Sequence, residues 1–152
     1  NIRLPRSILA FFVGASLSLT GVVVQSILRN PLASAYNLGI SSGAGLGAAL
    51  LIITGIYFNQ YVFVAVSTIF AFITIIFILF ISNRIDKYMN NNSIILAGIV
   101  ISLFLYSLMS FFIYIFPKHS NQIILWQLGN LYLKNFADIF IIIFRNIYII
   151  LF

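Results

Sequence analysis

The run Gly39-Ile40-Ser41-Ser42-Gly43 matches G-x-S-x-G, the pattern that lifts a nucleophilic serine onto a strand-to-helix turn. A serine there needs a base to take its proton and an acid to orient that base. The chain holds one histidine, His119, in a stretch with Pro117 and Lys118, and two acids, Asp86 and Asp138. The motif also continues into a glycine repeat rather than following a strand, so nucleophilic catalysis is not expected. A metal centre wants three or four converging ligands. His119 stands alone, and the absence of cysteine removes both thiolate ligands and disulfides. No pair of acids lies in an apolar run to relay protons or hold sodium, as many secondary transporters require. No catalytic residue, metal or cofactor is therefore expected.

The elements that would hold these residues explain the lack of reactive groups. Of 152 residues, 62% are hydrophobic and 7% charged, with a mean hydropathy of +1.15. A soluble domain of this size carries about 25% charged residues. That composition excludes a soluble enzyme and a disordered chain. The net charge of +6 comes from scattered single Lys and Arg residues. No basic patch could track phosphates, so no nucleic-acid partner is expected. Crossing a bilayer takes roughly 20 apolar residues in a helix. Such spans are predicted at 7–28, 39–58, 61–82 and 93–116, with a further one at 136–152. The connectors 29–38, 59–60, 83–92 and 117–135 are polar. The fold class is all-α, a polytopic helical membrane protein in contact with lipid. The chain starts at Asn1 beside an apolar run and stops at Phe152 inside another, which predicts an excerpt of a longer protein. Lys and Arg are near parity between alternate loops, so the positive-inside rule leaves orientation open.

Small residues mark where membrane helices approach closely. Gly39, Gly43 and Gly47 recur every four residues, and Gly14 and Gly21 share a stripe with Ala10, Ser18 and Gln25. Gly98 heads a stripe with Ser102, Tyr106 and Ser110. These six glycines are expected to pack helices. The third span is crowded with Phe and Ile, so spans one, two and four are expected inside the protein and span three against lipid.

The literal residues go further. Arg3-Leu4-Pro5-Arg6, Gly14-Ala15, Gly21 with Gln25, Arg29-Asn30-Pro31-Leu32-Ala33 and Leu38-Gly39-Ile40-Ser41-Ser42-Gly43-Ala44 occur in this order. Leu96-Ala97-Gly98-Ile99 and Trp126-Gln127-Leu128-Gly129-Asn130-Leu131 follow. The series resembles the FecCD-type permeases of ABC importers for iron–siderophore chelates, haem and cobalamin. The resemblance implies a ten-helix fold in a prokaryotic inner membrane, of which this chain is an N-terminal-half segment and not itself an enzyme. It implies a second permease subunit, an ATP-binding cassette ATPase and an extracytoplasmic binding protein as partners. It also implies that Arg3 and Arg6 dock the binding protein outside, while Asn91 and Asn92 form a cytoplasmic gate. Asn130, and Ser34-Ala35-Tyr36-Asn37, depart from the family pattern and leave the chelate open. The alternative is half of a secondary transporter or a non-transporting membrane subunit.

Overall fold

The computed structural model describes residues 3–55, 60–86 and 90–129. They form five helices: α1 (Arg3–Leu28), α2 (Ile40–Thr54), α3 (Gln60–Ile85), α4 (Asn91–Ile115) and α5 (Pro117–Leu128). Among the described residues there is no strand, and the all-α class is observed. α1, α3 and α4 are long and apolar enough to cross a membrane. α3 contains neither Gly nor Pro, so nothing interrupts its hydrogen-bond ladder. Its 26 residues extend about 39 Å at the usual helical rise.

α2 is shorter, at 15 residues. Gly39 before it has φ +72 and Gly55 after it has φ +69. Both are left-handed conformations that a glycine adopts without Cβ strain. The span expected at 39–58 is thus helical only over Ile40–Thr54, with residues 56–59 outside the described set.

The packing bears on three expectations. First, span three is not simply a lipid-facing helix. The α2–α3 interface is the most extensive in the bundle. One face of α3, carrying Ser67, Ala71, Thr74, Ile78 and Ser82, is buried, while Ile69, Phe72, Ile76 and Phe80 on other faces are exposed. Bulk was a poor guide because the small partners lie on α2, where glycines admit Phe70. Second, α1 has only 6% of its apolar window covered by the other described helices, so they do not test its expected interior position. A small-residue stripe shows that close approach is possible, not which helix makes it. Third, 117–135 is not all connector. Pro117 begins a helix that reaches Leu128 and turns back into the bundle. Fully buried Ile123 joins Ala49 and Ile52 of α2, and Gln127 Nε2 reaches Met109 Sδ of α4 at 3.4 Å. The span expected at 136–152, with Asp138, lies outside the described residues.

Candidate functional site

Two seams dominate the interior. Along α2, an ideal Cβ on Gly47 would lie 2.9 Å from Phe70 Cβ, and one on Gly39 would lie 2.9 Å from Ile78 Cδ1. Between them, a Cβ on Gly43 would collide with Thr74 Oγ1 and stand 3.0 Å from the Phe70 carbonyl. Thr74 donates to that same carbonyl at 2.8 Å, so its hydroxyl is satisfied within α3. On the next face of α2, a Cβ on Gly45 would lie 3.1 Å from Met109 Sδ. Gly14 and Gly21 differ: a Cβ at either meets nothing within 4 Å.

The second seam is formed by non-helical chain. The α1–α2 connector runs from Arg29 to Gly39 and is folded on itself by polar contacts. Gln25 Nε2 donates to the Pro31 carbonyl at 2.9 Å, and Asn30 Oδ1 accepts from Leu32 N at 2.9 Å. Ser34 Oγ accepts from Asn37 N at 3.1 Å, and Asn37 Nδ2 donates to the Leu32 carbonyl at 3.0 Å. These are the side chains that satisfy backbone where neither helix nor strand does. The connector lies against α4: a Cβ on Gly98 would meet the Asn37 carbonyl at 2.5 Å and Leu38 Cα at 3.1 Å. Gly98 thus admits backbone rather than a second helix. Gly39 reaches the level of Ser102, whose Oγ would lie 3.4 Å from its Cβ. Ser102 is eleven residues along α4 from Asn91, about 16 Å at the helical rise. Residues 29–38 were expected as a polar connector between two spans. The end at residues 37–39 climbs into the bundle against α4, while Arg29, Pro31, Leu32 and Tyr36 stay exposed.

At the foot of this seam Asn91 Nδ2 donates to the Leu28 carbonyl at 2.9 Å. That carbonyl ends α1 and has no partner within its own helix. Asp86 Oδ2 accepts from Asn90 N and from Ser93 Oγ, each at 3.3 Å, which places a carboxylate at the start of α4. Asn92 is exposed, whereas Asn91 is half-buried. Arg3 is the first residue of α1, and Arg6, one turn on, is exposed. The sequence reading missed the contact between Asn91 and Leu28, and the docking of α5. Among the described residues no three His, Cys, Asp or Glu side chains group as a metal site. Ser42 Oγ donates to the Gly39 carbonyl at 3.0 Å, a bond within the first turn of α2, and Ser41 beside it is exposed.

An apolar cavity of about 430 Å3 opens beside the α2–α3 seam, lined by Ile40, Ala44, Phe63, Ser67, Ala71 and Trp126 among others. Its walls offer almost no polar atoms with which to orient a polar ligand.

The FecCD transport family matches residues 1–152, the whole chain. The chain belongs to that family. Among curated relatives, an iron chelatin transport system permease of Helicobacter pylori is 41% identical over 91% of this chain and 41% of its own length. An Fe(3+)-citrate import system permease of Bacillus subtilis is 34% identical over 90% of this chain and 40% of its own. A vitamin B12 import permease of Klebsiella pneumoniae is 32% identical over 85% and 39%. The chain therefore spans about four tenths of the length of the relatives it matches. A solved metal-chelate type ABC transporter in an inward-facing conformation superposes with a TM-score of 0.72 at 30% identity. That match covers 96% of this chain and 46% of the other. This FecCD-family chain is a multi-pass membrane protein.

Proposed function

We propose that this FecCD-family chain is part of a permease subunit of an ATP-driven importer for an iron–siderophore-type metal chelate. The observation that carries the reading is the family match over the full chain, supported by relatives that are permeases for iron chelates, citrate-bound iron and vitamin B12. The subunit sits in a prokaryotic inner membrane and pairs with a second permease to enclose the pathway. A separate ATPase supplies the energy, and an extracytoplasmic protein delivers cargo. The permease carries out no covalent chemistry and needs no resident cofactor. Arg3 and Arg6 dock the binding protein through charge-assisted bonds to carboxylates. Asn91 and Asn92 contribute to closure of the cytoplasmic end. Gly39, Gly43, Gly47 and Gly98 set close packing here, and Gly14 and Gly21 pack against helices beyond the described residues.

The test is reconstitution of the full-length permease with its ATPase and binding protein in sealed vesicles. ATP-dependent accumulation of a radiolabelled ferric siderophore, with haem, cobalamin and molybdate as comparison cargoes, is expected. Uptake that ignores ATP and follows a proton or sodium gradient would instead make the protein a secondary transporter.

A further inference from the structure

Residues 91, 95, 98, 102 and 106 fall on one face of α4, at spacings of three and four. The segment Leu28–Leu38 occupies all five. Asn91 donates to the Leu28 carbonyl. Ile95 packs with Leu28 and Ala33 in one buried cluster. The space a side chain would fill at Gly98 holds the Asn37 carbonyl. Ser102 Oγ, which donates to the Gly98 carbonyl at 2.7 Å, also lies 3.4 Å from the Tyr36 carbonyl. Tyr106 stacks on Tyr36, with ring centroids 5.5 Å apart and planes 27° apart. The seam therefore extends about 22 Å along the helix.

We propose that the end of α1, the connector and the first four turns of α4 form one rigid element that moves as a unit when the permease changes state. Asn91 clamps that element, and its part in closing the cytoplasmic end is to hold the exposed Asn92 beside it in place. The inference rests on the importer reading for its setting, but its geometry is testable without cargo. Separating the seam would strip the carbonyl of the buried Leu28 of its Asn91 partner, and a polar group left unpaired there is strongly disfavoured. The seam also combines four kinds of contact: amide to carbonyl, apolar cluster, backbone against glycine and ring on ring. A surface that opens and closes would keep water-satisfiable groups at its edge, whereas Asn91 is turned inward onto α1.

The experiment uses the full-length permease with its ATPase in lipid nanodiscs, with spin labels at the exposed positions Leu32 and Leu96. The chain contains no cysteine in these 152 residues, so both labels are placed by substitution. The inter-label distance is expected to be the same in the nucleotide-free and ATP-trapped states. A change of the order of one helical turn, about 5 Å, would overturn the proposal. Asn91→Leu should broaden the distance distribution and Asn92→Leu should leave it narrow; an Asn91→Leu distribution as narrow as the unsubstituted one would remove the clamp. In vesicles that import a chelate, bridging Ala33→Cys to Ile95→Cys with dibromobimane should leave uptake intact. Abolished uptake with ATP hydrolysis continuing would show that the seam must open. Vesicles that import no chelate at all count against the importer reading alone, because the distance measurement stands by itself.

Discussion

Gly43 faces a threonine hydroxyl and a backbone carbonyl of α3, neither of which can swing aside as a flexible side-chain tip could. Gly43→Ala should therefore force the two helices apart, with an overpacking cost of about 1–3 kcal/mol. It is read as a lowered unfolding midpoint in detergent. Adding Thr74→Ala removes the hydroxyl in the way and should recover part of the loss, since residues in contact couple. Gly55→Ala tests a different cause. No neighbour lies within 4 Å of a Cβ there, but φ is +69. The expected cost of about 1–2 kcal/mol is backbone strain alone, and no second-site change on α3 should rescue it. The four-residue spacing of Gly39, Gly43 and Gly47 was readable from the sequence because the helical period puts them on one face. Their partner was not, because Phe70 meets Gly47 through its Cβ and Cγ while its bulk reads as lipid-facing.

At the scale of elements, α5 was hidden in plain view. Pro117 at the first helical position and Gly129 just past the end bracket the helix, but Lys118, His119, Ser120, Asn121 and Gln122 give its first half a loop-like composition. What decides is tertiary: Ile123 is fully buried against α2, and no local signal encodes that. Ile123→Ala should loosen α5 by removing those close contacts. A cysteine at Gln127 should then react faster with a membrane-impermeant maleimide than in the parent; an unchanged rate would show that other contacts hold the helix. The connector was legible in part. Asn30-Pro31 and Asn37-Leu38-Gly39 announce turns, and the small-residue stripe on α4 announces a close neighbour. Nothing in the spacing says that the neighbour is the turn itself.

For the whole molecule, the apolar runs establish a helical membrane protein, while loop charges alone do not orient it. The proposal that Arg3 and Arg6 lie outside and dock the binding protein has a measurable consequence. Arg3→Glu with Arg6→Glu should abolish stimulation of uptake by the binding protein while insertion into the membrane survives. Reversing the partner's facing carboxylates should restore it. Full stimulation of the double variant would leave the arginines as headgroup anchors. The seating of α5 also gives this part of the molecule an optical reporter. Trp126 is the one tryptophan in the 152 residues. Its indole is 6.1 Å, centroid to centroid, from the Phe63 ring, and its edge faces Gly45. Trp126 is 36% exposed while α5 is docked, and its emission should shift red when the helix leaves the bundle for water. The difference between the parent and Trp126→Phe spectra isolates that signal in the full-length protein, so the position of α5 can be followed by fluorescence in real time without any attached dye.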